Sequence, residues 1–461
     1  MHKERFLGQD PFAVELYEIM SSFPILSPHG HVSADLLAAN QPFTNAVELL
    51  IAPDHYVTRM LHSHGVSFDQ IGTPRISGNT NSVPPRKVWQ IFASHWHLFH
   101  GTPSRVWIGE IFTEIFGLTE ELTVERADYF FDAIGEKLAH PDFLPLTLFK
   151  RFNVEVLATT DATSDLLTSH KKLASLDFGG RVIPTFRPDD VSDPSRSDWS
   201  TKIKELADVS GIATDSFEGL LNALRKQRAF FKEMGATATD HGVFSPQTLS
   251  LSLQEGEKLF SSLLKDANSP ADCAKFTAAM LVEHAKMAAD DGLVMQLHPG
   301  SLRNYDYEIA MQFGADRGMD IPVKTTYTQE LRALLNLVGK SSGFRMVLFT
   351  LDESTYSREL APLAGVYPGL RLGPPWWFHD SLNGMERWRD SVIESAGYYN
   401  TVGFIDDTRA FLSIPVRHDV ARRFDSAHLA AQVAKDRLSK SAALELAPQI
   451  AYQLSKDFFN L

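Results

Sequence analysis

The sequence predicts an α/β protein, a distorted (β/α)8 barrel that carries a large helical insertion after its first strand. Three observations predict it. Short runs rich in β-forming residues recur along the chain, each run ends in a polar cluster, and each is followed by helical patterning. Continuous apolar runs separated by helices mark parallel strands buried on both faces. Eight of them suit a closed barrel.

The runs lie at 23–31, 154–161, 181–187, 236–241, 293–298, 344–352, 370–377 and 401–407. The fourth is Thr-rich and the seventh contains Pro-Pro, so these two make the poorest strands. Helices are expected at 328–337 and 382–396, and C-terminal helices over 416–461. The 461 residues far exceed the roughly 250 of a bare barrel. Residues 32–150 absorb much of the excess. They read as helices, for instance at 85–100 and 124–138, which suits a subdomain inserted in the first strand-to-helix loop. That loop lies on the face where barrel active sites are built. A second long gap, 191–235, also reads as helical. The expectation is one barrel over 1–461, with a division near residue 150 as the two-domain alternative.

Composition excludes several classes. With 44% hydrophobic and 22% charged residues the chain reads as an ordinary globular enzyme. A net charge of −13 without a basic run leaves no footprint for nucleic acid. No apolar stretch is long enough to span a membrane, and the N-terminal 20 residues lack the apolar core of a secretory signal. Cys273 is the single cysteine, so no intramolecular disulfide forms and a Cys-based zinc site is disfavoured. A cytoplasmic location is the expectation. The sequence leaves oligomeric state open, a homo-oligomer included.

The sharpest chemical signal is His29-Gly30-His31 at the end of the first run. Residues i and i+2 of an extended strand share a face, so both imidazoles can reach one metal ion. His95-Trp96-His97 has the same spacing but sits in a helical pattern, where i and i+2 lie about 200° apart. That pair is read as structural, as are His62 and His64. The eighth run ends in Asp406-Asp407-Thr408-Arg409, and a carboxylate there would complete an N/O site for zinc or another divalent ion. The fifth run ends in His298, either a packed or capping residue or part of an active site. Arg187 ends the third run; a buried arginine needs an anion, either a ligand or Asp189 or Asp190. A phosphate-binding loop, a dinucleotide fingerprint and a nucleophile elbow are all missing.

In order along the chain, these residues resemble the uronate isomerase family of the amidohydrolase superfamily. The resemblance rests on His29/His31, Asp54-His55-Tyr56 with Arg59, Phe186-Arg187-Pro188-Asp189, and Gln296-Leu297-His298 with Gly300, Arg303 and Asn304. It continues through Trp376-Trp377-Phe378, Asp407-Thr408-Arg409-Ala410-Phe411-Leu412-Ser413 and Arg417-His418. It implies an amidohydrolase-type barrel that interconverts D-glucuronate with D-fructuronate and D-galacturonate with D-tagaturonate, in hexuronate catabolism. It further implies that His29, His31 and Asp407 bind one divalent ion, zinc being expected, which holds the substrate's C6 carboxylate and C5 hydroxyl. Asp407 would move the proton from C2 to C1 through a cis-enediol, with Tyr56 and Arg409 at the C1 and C2 oxygens. His55, Arg187, His298 and one of Trp376 and Trp377 would contact substrate. Two positions depart from the family pattern. An acidic residue often stands two places before the His pair, where this chain has Ser27, and Asp406 is a second acid beside Asp407. The spacing to Arg409 favours Asp407.

Two other readings compete. A metal-dependent hydrolase of the same superfamily would often carry a second ion, with a lysine after strand four and a histidine after strand six; here those strands end in Asp240-His241 and Asp352. A non-catalytic sugar-acid binder would not need the acid–base set of Tyr56, Asp407 and Arg409.

Overall fold

The structure is a computed structural model that describes residues 4–78 and 82–461. The first three residues of the N-terminal stretch, and 79–81 within 32–150, lie outside the described residues. Seven strands run parallel, each beside the next in sequence. They are β1 (Ile25–Ser27), β2 (Val154–Ala158, resumed at Asp161–Ala162), β3 (Arg181–Ile183, resumed at Phe186–Arg187) and β4 (Ala238–Val243). β5 (Val294–Pro299), β6 (Met346–Leu348) and β7 (Leu370–Leu372) follow. Pro184, which has no N–H to give to a ladder, interrupts β3. Backbone bonds from Thr159 N–H to Ile183 O (2.9 Å) and Asp161 N–H to Thr185 O (3.0 Å) carry the pairing across the break.

The eighth run departs from expectation. Thr401 makes a single parallel bridge to Leu372, and no regular strand follows. Gly403 (φ 76°) and Asp407 (φ 42°) sit in the left-handed region, which takes the chain out of extended geometry. The barrel still closes, because His31 N–H donates to Thr408 O at 2.9 Å. The fourth run departs in the opposite sense. β4 pairs with β5 residue for residue from Ala238–Val294 to Val243–Pro299. Its polar side chains are satisfied at the barrel mouth, so a Thr-rich composition does not weaken it.

The helix expected at 382–396 is found at Leu382–Ala396. Others are shorter or broken: 85–100 becomes Pro85–Ser94 followed by a 3₁₀ turn, Trp96–Phe99, and 328–337 becomes Arg332–Val338. The 191–235 gap holds Trp199–Ser210 and Phe217–Glu233. At the C-terminus Ser413–Ala434 is followed by Lys440–Pro448 and Leu454–Phe459. One apolar core joins Trp89, Phe92, Trp107 and Phe112 of the inserted helices to Ile25, Val154 and Leu157 of β1 and β2 and to Phe411 and Leu412. Among the described residues no helix is long and apolar enough to cross a membrane.

Candidate metal centre and active site

The carboxyl ends of the strands open into a cavity of about 710 Å³. β1 ends by delivering His31 to its lining and His29 just beneath it. Gly30 between them is pinned by Thr160, whose hydroxyl donates to Gly30 O at 2.8 Å. The left-handed turn at Asp407 swings its carboxylate toward them. His29 Nε2 stands 3.3 Å and His31 Nε2 3.1 Å from Asp407 Oδ1. All three donor atoms lie within 4.8 Å of one another. Around a tetrahedral ion held at about 2.1 Å, donor atoms stand about 3.4 Å apart, so these spacings fit a divalent cation. Asp407 Oδ1 is buried without a hydrogen-bond partner, as a ligand atom would be. Burial alone would push the Asp407 carboxyl up, but the two imidazoles hold it well below the usual carboxylate range.

The competing acid is placed elsewhere. Asp406 is fully buried, and its Oδ1 lies 3.0 Å from His418 Nε2. Ser27 is also buried, with its hydroxyl unpartnered, so that position offers no acidic support to the His pair. His29 is flanked instead by the His298 ring, stacked at 4.6 Å between centroids.

His298 sits beneath the cavity floor rather than on its wall. Its Nδ1–H donates to Asp240 Oδ1 at 2.7 Å, which leaves the buried Nε2 lone pair without a partner. Asp240, at the end of β4, also meets Arg187 Nη1 at 3.3 Å, and Arg187 Nε donates to Asp189 Oδ2 at 2.7 Å. Burial disfavours the Asp240 charge, but Arg187, His29 and His298 hold that carboxyl well below normal. Both alternatives posed for Arg187 are therefore present at once: it pairs with Asp189 and still lines the cavity. His29, Asp240 and His298 also form a group of metal-ligand type, but Asp240 is already neutralised by a guanidinium.

The inserted segment contributes the opposite wall. Asp54 caps the helix His55–Ser63 by accepting from Tyr56 N–H at 2.9 Å. This directs His55 and Tyr56 into the cavity. Burial holds the Tyr56 hydroxyl well above its usual value, so it stays protonated. Burial, and then the Arg409 charge, lowers His55 to about 4. Arg417 lies 3.7 Å over the Trp107 ring and donates to Asp380 Oδ2 (2.9 Å) and to Asp406 O (2.8 Å). It ties the insertion to the eighth segment. The paired tryptophans differ in role. The Trp376 indole donates to Thr350 O at 3.1 Å and packs on His298, whereas the Trp377 N–H is buried and unpartnered. Arg409 reaches over the mouth and pairs with Asp316.

Sequence reasoning did not single out Asp240 or Asp316. A charged residue ending a buried strand was the available signal for Asp240. Asp316 lies in a loop without periodicity, and nothing in the sequence marked it. His95 and His97 lie outside the cavity; the His95 ring nitrogen contacts Ile91 O at 2.8 Å, a local helix-end bond.

The match to known proteins covers the same ground. A family model described as glucuronate isomerase matches residues 1–459. A uronate isomerase of Phenylobacterium zucineum is 48% identical over 100% of this chain and 97% of its own length. The crystal structure of a glucuronate isomerase from Caulobacter crescentus superposes with a TM-score of 0.98 at 47% identity, covering 100% of this chain and 97% of that one. A uronate isomerase from Thermotoga maritima superposes with a TM-score of 0.93 at 28% identity, covering 100% and 99%. With a matching family model and close relatives that span the whole chain, this protein belongs to the uronate isomerase family.

Proposed function

We propose that this chain isomerises hexuronates, converting D-glucuronate to D-fructuronate and D-galacturonate to D-tagaturonate by proton transfer from C2 to C1. One observation carries the reading: a protonated phenol (Tyr56), a guanidinium (Arg409) and a carboxylate flanked by two imidazoles (Asp407, His29, His31) face one cavity. A proton beside a carbonyl becomes removable when the developing oxyanion meets fixed donors, and a low-pKa carboxylate nearby serves as the base.

His29, His31 and Asp407 would hold one divalent cation, zinc being the ion that best suits two imidazoles and a carboxylate. When bound, it supplies a Lewis-acidic anchor for the sugar's carboxylate and adjacent hydroxyl. Asp407 takes the C2 proton of the open-chain aldose and returns it to C1 of the cis-enediol. Tyr56 and Arg409 sit at the C1 and C2 oxygens: the phenol gives its proton to O1 as the enediol forms and recovers one from the C2 hydroxyl as C1 is protonated, while the guanidinium steadies the charge between. Arg187 would bind anionic substrate, and His55 and the free N–H of Trp377 would meet hydroxyls; His298, expected as a substrate contact, would act from beneath the floor by holding Asp240 and stacking on His29. Trp376 shapes the wall that holds His298.

The same reading takes the chain as a single barrel, with 32–150 as an insertion in the first loop and 416–461 as C-terminal helices. It is a cytoplasmic enzyme of small anionic sugars, without a nucleic-acid or membrane partner, and compatible with a homo-oligomer. Incubation with each hexuronate in deuterated water, followed by proton NMR, tests the assignment. Ketose signals are expected with the divalent ion present. Inertness toward both sugars together with hydrolysis of an amide library would replace the reading with a superfamily hydrolase.

A further inference from the structure

Five arginines line the cavity, and each is tied to a carboxylate: Arg187 to Asp189, Arg196 to Asp198, Arg303 to Asp320, Arg417 to Asp380 and Arg409 to Asp316. Arg196 and Asp198 are neighbours in sequence, so the last pair alone joins two distant segments with both side chains open to solvent. Its side chains remain 35% and 47% exposed, and the Nη2–Oδ2 distance is 3.2 Å. An ion pair this open is worth at most about 1 kcal/mol to stability. Asp316 nevertheless adopts a left-handed backbone (φ 61°), which most side chains avoid. Conformations of this kind persist where the surroundings enforce them, and they gather at functional sites.

The surroundings here are specific. Asp316 stands in the loop that follows β5. That loop is braced by Arg303 Nη1 to Asp320 Oδ2 (2.7 Å), Asn304 N–H to Asp320 Oδ1 (2.7 Å) and Tyr305 N–H to Met319 O (2.8 Å). Gly318 lies flat on the helix of the inserted segment, where a β-carbon would come within 2.8 Å of both His55 O and Arg59 Cβ. The loop is thereby seated on the helix that carries His55 and Tyr56, and it presents one carboxylate to the guanidinium at the opposite rim.

We infer that Asp316 is a positioning residue for Arg409, holding its guanidinium over the reacting carbons. This rests on the isomerase reading above and adds to it a residue on a third loop. A long, rotamer-rich arginine side chain at a cavity mouth loses little of its freedom unless something fixes it. Asp316 fixes one end while the remaining N–H groups stay free for the sugar oxygens. The gain falls on the reacting step, because a pre-set donor needs no reordering as charge develops.

Asp316→Asn is the informative change, since Asn tolerates the same backbone region and removes only the charge. In the metal-loaded enzyme it is expected to lower kcat for D-glucuronate about tenfold, with KM within about twofold and an unchanged thermal midpoint. In an Arg409→Lys background the same change is expected to cost less than about threefold, because contacting residues that act together are non-additive. A kcat within twofold of wild type, a loss confined to KM, or equal losses in both backgrounds overturns the inference. If Asp316→Asn fails to fold, Asp316→Gly, which suits the same φ, is judged by the same criteria. Absence of turnover in the unmodified chain would instead refute the isomerase reading itself.

Discussion

Replacing Asp407 by Asn separates what the carboxylate does from where it sits. Asp407 occupies a left-handed turn (φ 42°). Asn enters that region about as readily as Asp, whereas Ala would add about 1–2 kcal/mol of backbone strain. The substitution therefore leaves the path of the eighth segment intact. Two things are lost: the carboxylate proposed as proton acceptor, and the negative member of a donor set whose nitrogens stand 3.3 and 3.1 Å away. A positioned general base contributes about 10²–10⁴-fold, so about 3–5 kcal/mol of barrier returns at 1.36 kcal/mol per tenfold. Weaker metal affinity would add to this at low metal but vanish at saturation. Initial rates of D-glucuronate conversion, followed by proton NMR across a zinc titration, resolve the two contributions. The expectation is a kcat/KM at least about 10²-fold below wild type that saturating zinc does not restore. Recovery to within tenfold at high zinc would refute the role of Asp407 as base and leave it a ligand only.

Three further outcomes follow from the structure. Gly318→Ala forces a β-carbon into His55 O and Arg59 at a positive φ (+81°); it should cost about 1–2 kcal/mol in urea unfolding and lower kcat/KM by displacing the loop that carries Asp316. Burial raises the Asp161 carboxyl to about 7, against hydrogen bonds from Thr159 and Thr185 that lower it. The folded state therefore binds this proton more tightly, and the contribution to stability is full below the unfolded pKa of about 3.9 and is lost as pH rises through about 7. Asp161→Asn should flatten the urea midpoint over that window, and an unchanged slope would show that the group titrates normally. Removal of divalent ions by a chelator should lower the thermal midpoint reversibly, an ion at 100 times its Kd being worth about 2.7 kcal/mol; an unmoved midpoint would argue against the three-donor site.

Much of the architecture was legible because buried parallel strands leave an uninterrupted apolar trace, and the His29/His31 pair was legible because period-two alternation puts both rings on one face. Two segments show where local pattern gives way to tertiary context. The 236–241 run, rich in Thr, was expected to be among the poorest strands, yet β4 is fully paired. Thr239 lies 2.9 Å from the His241 ring, and Asp240 accepts from His298, so its polar groups are satisfied inside the barrel. The 401–407 run looked apolar enough for a strand, yet the positive φ values of Gly403 and Asp407 break it after one bridge. That break is what turns Asp407 toward the His pair, and no periodicity encodes it. Asp316 was invisible for a related reason: its place depends on how Gly318 rests on a helix far away in the chain.

The common core of insertion and barrel has a consequence for how this protein could be divided. Trp107 lies under the Arg417 guanidinium, and Phe92 and Phe112 share packing with Ile25 and Leu157. A minimal version shorn of 32–150 would bare the flank of its first two strands to water and leave Arg417 without its aromatic bed. The segment that looks like an ornament on the barrel is one of its retaining walls, and the Tyr56 phenol is mounted on the inside of that wall.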